Sequence, residues 1–80
     1  MVFFVIELQS NGTEGNVIPF SFADKSDALA KAYSLASVAV KSDVEKHSII
    51  CVNSFGFNVI EPMVFEHEPK AQNTKKTSAK

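Results

Sequence analysis

One stretch of this chain, SDALAKAYSLASVAVK from Ser26 to Lys41, has helical periodicity, and it lies between segments that read as strands on either side. At 3.6 residues per turn, Asp27, Lys31, Ser34 and Lys41 share one narrow polar stripe, with Val38 the sole apolar intruder. The opposite arc spans roughly 160° and carries Leu35, Ala28, Ala39, Ala32, Ala36, Leu29, Val40 and Tyr33. Its centre is alanine and its flanks are large. Small residues at the centre let another backbone come close, so the helix is expected to seat that centre on its own sheet. The arc is wider than one small sheet needs, which leaves its margins to a second subunit.

The helix boundaries are marked locally. Asp24 takes the N-cap position, with Asp27 three residues later in the acidic position of a capping box and favourable to the helix dipole. Alanine, leucine and lysine carry helical propensity to Val40, and Lys41 suits the negative end.

Before the helix, Val2 to Gln9 alternates as a strand. Val2, Phe4, Ile6 and Leu8 form the expected core face, and Phe3, Val5, Glu7 and Gln9 the other. Phe3 and Val5 make that second face apolar at one end, which suggests that it too is covered. Asn11-Gly12 signals a chain reversal, and Val17 to Phe22 reads as a second strand with Ile18, Phe20 and Phe22 on one face. Pro19 removes a ladder donor and predicts an edge strand or a bulge.

After the helix, Lys46 to Asn53 reads as a third strand. Asn53-Ser-Phe-Gly56 then reads as a turn closed by glycine in the left-handed region, followed by a fourth strand from Phe57 toward Phe65 interrupted at Pro62. The resulting expectation is an α+β fold of ββαββ order. It has a four-stranded, mostly antiparallel sheet with one helix packed on one face, in a single domain over residues 1–68. Residues 69–80 are expected to form a disordered lysine-rich tail.

Eighty residues bury only about 60% of the unfolded surface, so such a chain is marginal without a staple. The single cysteine, Cys51, rules out an intramolecular disulfide and fits a reducing cytoplasm. Oligomerisation remains, and the candidate interface comprises Phe3, Val5, Leu29, Tyr33, Ala36, Val38 and Val40. The apolar start lacks a basic leader and a small-residue cleavage site, and no run reaches membrane-span length, so a cytoplasmic protein without membrane contact is expected.

Charge is unevenly distributed. Residues 1–69 hold four lysines against nine acidic residues, a formal −5, while residues 70–80 hold four lysines and no acid. An acidic body without a single arginine makes nucleic acid an unlikely partner. Phe3, Phe55 and Phe57 would be the stacking platforms of a sheet-face RNA binder, but basic residues are not interleaved with them.

His47 and Cys51 lie four apart on a strand, about 13 Å, too far to share a metal, and His67, Glu66 and Glu68 lie near the end of the fourth strand. Both histidines read by default as surface or interface residues. Cys51 sits in the most apolar run and reads as a core residue rather than a nucleophile. Asn11-Gly12 and Gly15 lie in a hairpin turn rather than before a helix, so they do not cradle phosphate. No catalytic residue, metal ligand or cofactor is assigned, and a non-enzymatic, self-associating protein is expected. The alternative is a module that binds another protein at a sheet edge or through its hairpin loops.

The order Ile6-Glu-Leu-Gln9, a glycine turn, an aromatic strand, Asp27-Ala28 through Lys31-Ala-Tyr33, Ser37-Val-Ala-Val-Lys-Ser42, then Val44, His47 and Gly56 resembles a group of short orphan proteins. These are encoded in prophage and mobile-element regions of gut Firmicutes. The resemblance covers residues 2–67 and implies a phage or mobile-element setting with an accessory or virion-associated role. The histidine usual after the helical aromatic is Ser34 here.

Overall fold

The computed structural model describes residues 1–68, so the tail expected over 69–80 lies outside the described residues. Five elements follow one another: β1 (Phe3–Asn11), β2 (Glu14–Phe22), α1 (Lys25–Ala39), β3 (Lys46–Asn53) and β4 (Met63–Glu66). The sheet order is β2-β1-β3-β4, with every neighbouring pair antiparallel. The expected ββαββ α+β architecture is the one observed. Strand β1 is central although it comes first, because the chain leaves β2, crosses through α1 and re-enters on the far side of β1.

The β1–β2 hairpin turns through Gly12 and Thr13. Gly12 has φ +59° at the first central position, where a left-handed backbone matches the twist of the flanking strands. The closing pair Asn11–Glu14 exchanges hydrogen bonds, and such pairs recur at every second residue. Pro19 faces Ile6 at an intervening position, so its nitrogen points to the free edge and no β1–β2 bond is lost. No bulge is needed.

Register decides which face of the sheet is the core. A two-residue turn opposes Val5 to Phe20 and Phe3 to Phe22, and β3 brings Cys51 opposite Val5 and Ile49 opposite Glu7. The buried cluster is Val5, Ala28, Ala32, Ala39, Ile49 and Cys51, with Phe3, Phe20, Phe22, Leu29, Leu35, Met63 and Phe65 among those packed around it. The face of β1 under the helix is therefore Phe3, Val5, Glu7 and Gln9. This corrects the expectation that Val2, Phe4, Ile6 and Leu8 form the core. The physical reason is volume: α1 presents alanines, so the sheet opposite must supply bulk, and Phe20, Phe22, Ile49 and Phe65 stand on the Phe3–Val5 side.

The helix lies as its alanine centre predicts, with Ala28, Ala32 and Ala39 buried. Asp24 is the N-cap residue and its carbonyl accepts the first helical N–H, from Ala28. The capping box does not form. The Asp24 carboxylate accepts the Ser26 hydroxyl at 2.6 Å and makes no hydrogen bond to a backbone N–H.

Strand four is shorter than expected. The Asn53–Gly56 turn has the predicted glycine, at φ +86°, and the Asn53 side-chain oxygen accepts both the Phe55 and Phe57 N–H groups. One bridge joins Val52 and Asn58 before the ladder lapses, and regular pairing resumes only at Met63, beyond Pro62.

Candidate interaction surface

Alternation along paired strands leaves a second face with its own consistent chemistry. Opposite the helix, β1 presents Phe4, Ile6 and Leu8, β2 presents Val17 and Pro19, β3 presents Ile50 and Val52, and β4 presents Val64. Ile6 and Ile50 oppose each other directly on the two central strands. The one helix among the described residues occupies the other face. Among the described residues no second layer of secondary structure covers this one. Val17 is 65% exposed and Val64 58%, while the residues between them are half-buried by their lateral neighbours.

The charged side chains on this face are Lys46 and Glu66, which stand opposite each other across β3 and β4 at one end. The centre is uncharged. A contiguous apolar surface of this kind is unfavourable in water, and nothing among the described residues removes it from contact with solvent.

Both edges of the sheet are poor templates for an added strand. On β2 the outward-pointing groups belong to Gly15, Val17, Pro19 and Ser21, and Pro19 has no N–H to offer in the middle of that row. On the other side, β4 extends only from Met63 to Glu66 and follows Pro62. The hairpin tip adds a shallow polar concavity of about 110 Å³ lined by Gln9, Asn11, Glu14, Gly15 and Asn16.

The structure disperses the residues named from the sequence as an interface. Val5 is fully buried under α1, and Phe3, Leu29 and Ala36 are half-buried and pack on the core. Tyr33, Val38 and Val40 are exposed on the outer side of the helix. Phe3 therefore forms no stacking platform with Phe55 and Phe57, whose exposed rings lie 6.4 Å apart in the β3–β4 connection. Lys31 lies over the Phe20 ring at 4.4 Å and shields the flank of the core.

The polar residues under the helix form one network. His47 is 2% exposed, and its Nε2 lies 2.5 Å from Oε2 of Glu7, itself 8% exposed. The network closes consistently when Nε2–H donates to the carboxylate and Nδ1 accepts the Ser42 hydroxyl at 3.3 Å. Ser42 Oγ in turn accepts the Val44 N–H, and Gln9 Nε2 donates to Glu7. His47 is thus a buried, paired residue, not the surface or interface histidine expected.

A serine, a histidine and a carboxylate in series are the parts of a hydrolytic relay, but their setting is structural. Ser42 follows the C-terminus of α1, where Ala36, Val38 and Ala39 turn their carbonyls toward the chain end. That negative end disfavours the oxyanion an acyl-transfer site must stabilise. His67 reinforces the same end by donating Nε2–H to the Ala39 carbonyl at 3.0 Å. Cys51 lies in the core; burial pushes its thiol up, with Lys25 opposing. Among the described residues no three of His, Cys, Asp and Glu converge as metal ligands. No helix among the described residues is long and apolar enough to cross a membrane.

One sequence signal pointed to the open face. A two-residue hairpin at Gly12-Thr13 forces Phe20 opposite Val5, so the face holding Ile18, Phe20 and Phe22 must also hold Phe3 and Val5. What remains is Phe4, Ile6 and Leu8. Comparison with protein-family models, curated proteins and solved structures gives no match for this chain.

Proposed function

We propose that this chain is a small non-enzymatic accessory or structural protein, of phage or mobile-element origin, that works by protein–protein association through its open sheet face. The observation that carries the reading is the uncharged patch of Phe4, Ile6, Leu8, Ile50 and Val52, with nothing of the described domain lying over it. The blunted edges favour face packing over strand addition at the sheet edge. The setting, in the host cytoplasm or on a virion, follows from the resemblance to short orphan proteins of mobile elements.

The test is site-specific photocrosslinking in the native host. A benzophenone amino acid replaces Ile6 on the open face, or Val38 on the outer face of the helix. Crosslinked products from position 6 and none from position 38 fit the reading. Products from position 38 alone would move the working surface to the helix and sink it.

A further inference from the structure

We infer that the occupant of the open face is a second copy of this chain, packed about a two-fold axis that passes near Ile6 and Ile50. The product is a sandwich of two four-stranded sheets with the helices outside. The inference rests on the open face being the working surface and adds the identity of the partner.

Size is the first argument. The β1–β3 ladder runs from Phe3–Asn53 to Ser10–Lys46, which is about 26 Å long at 3.3 Å per residue, and four strands are about 19 Å wide. Strands β1 to β3 fill that length and β4 only half of it, so the face projects to roughly 440 Å² per subunit and two copies cover about 900 Å², close to the roughly 1,000 Å² of a specific interface.

Chemistry is the second. A two-fold interface must be complementary to itself. An uncharged centre meets that condition without pairing opposite charges, and Lys46 and Glu66 already offset each other at the rim. An acidic or basic partner would find no net charge to read on this surface. The remaining sequence of the chain, PKAQNTKKTSAK, offers only proline and alanine as apolar side chains and suits the face poorly.

The third argument is the thinness of the core. Ile49, Val5 and Cys51 are the largest fully buried side chains, and the other buried apolar residues are alanines. A domain with so little interior gains stability from any further cover. The partner assured at every site of synthesis is another copy. Aligned packing would set the sheets about 10 Å apart and interleave Phe4, Leu8 and Val52 of one with those of its mate.

Light scattering after size exclusion tests this directly, using the purified full chain at tens of micromolar. The wild type is expected at twice the chain mass of 8.7 kDa. Because residues near a two-fold meet their own counterparts, Ile6→Asp and Ile6→Lys should each shift the dimer dissociation constant upward by about a hundredfold or more. Both should keep a native far-ultraviolet circular dichroism spectrum, since position 6 lies on the solvent face of the free subunit. An equimolar mixture of the two should recover the doubled mass.

A monomeric wild type overturns the inference, as do variants that remain dimers. Folded monomeric variants whose mixture stays monomeric overturn the two-fold at Ile6. Should either variant unfold, isotope-filtered nuclear Overhauser spectra of mixed-labelled wild type decide. Contacts between the methyls of Ile6 and Ile50 across subunits support the two-fold, and their absence overturns it. The two readings fail separately. A monomeric wild type with heterologous crosslinks from position 6 leaves the open face as the working surface but gives it to another protein.

Discussion

Removing the Glu7 carboxylate while His47 stays in place should cost this domain a large part of its stability. His47 is 2% exposed and its Nε2–H points at Glu7, so Glu7→Ala strands a donor where water cannot reach it. A stranded buried polar group costs about 1–3 kcal/mol, and a hydrogen bond to a charged group contributes about 1.5–3 kcal/mol. A working figure of about 3 kcal/mol follows. A domain of this size holds roughly 3–10 kcal/mol in total, so the variant should be close to unfolding at room temperature. Replacing both partners, Glu7→Leu with His47→Leu, removes the stranded group as well as the pair and should return stability to within about 1 kcal/mol of wild type. The assay is urea unfolding at fixed protein concentration. It should be followed by far-ultraviolet circular dichroism, because there is no tryptophan and the only tyrosine is exposed on α1. A double-mutant cycle closed with the single variants Glu7→Leu and His47→Leu then isolates a coupling of at least about 2–3 kcal/mol. A loss under about 0.5 kcal/mol for Glu7→Ala, or single effects that simply add, would refute the buried pair.

Other consequences are open to simpler checks. Cys51→Ala should flatten the alkaline side of the stability profile. Burial raises the thiol above its unfolded value, so wild-type stability is whole below about pH 8.5 and falls as pH rises through the folded value, by at most about 1.4 kcal/mol per pH unit. Urea midpoints at pH 8 and pH 10 measure this, and equal slopes in both proteins would count against it. Ala32→Leu, at a fully buried site between helix and sheet, should cost about 1–3 kcal/mol by overpacking, whereas Val38→Lys on the exposed side should stay within about 0.5 kcal/mol. Thermal melts compare the two, and equal shifts would contradict the placement of α1. Asp24→Ala should cost under about 0.5 kcal/mol rather than the usual 1 kcal/mol of an N-cap, because the carboxylate bonds Ser26 instead of the backbone. A full capping loss in urea unfolding would show otherwise.

Element order was legible because each element has a local cause. The helix has its alanine periodicity, the first hairpin has Gly12, and the second turn has Gly56 in the left-handed region. Pro19 narrowed β2 to an edge strand or a bulged one, and the sheet order shows the edge. The choice of core face could not be read from β1 by itself, since Phe4, Ile6 and Leu8 look like a better core than Phe3, Val5 and Glu7. Glu7 is tolerated inside only because His47, forty residues later, meets it. A contact of that range has no local signature. The same cause hid the open apolar face: with the faces of β1 exchanged, the apolar residues assigned to the interior are those left uncovered. The last strand reads as too long because Phe57, Val59 and Ile60 are apolar, yet Val59 and Ile60 pack beside the core and only Asn58 of this segment pairs, in a single bridge.

The central place of β1 in the sheet has a consequence for the chain as it is made. Strand β1 pairs with β2 as soon as the hairpin emerges, but its other edge must wait for residues 46–53. At the usual 5–20 residues per second, the interval from Asn11 to Asn53 lasts roughly 2–8 s. Through that time a row of β1 amides and carbonyls has no mate, and α1 lacks Ile49 and Cys51 to rest on. The finished domain protects its margins with a proline and a very short strand, while the unfinished one offers an apolar strand open along its length. This chain is therefore most vulnerable to capture by a chaperone or by another nascent copy during translation, before its own third strand arrives.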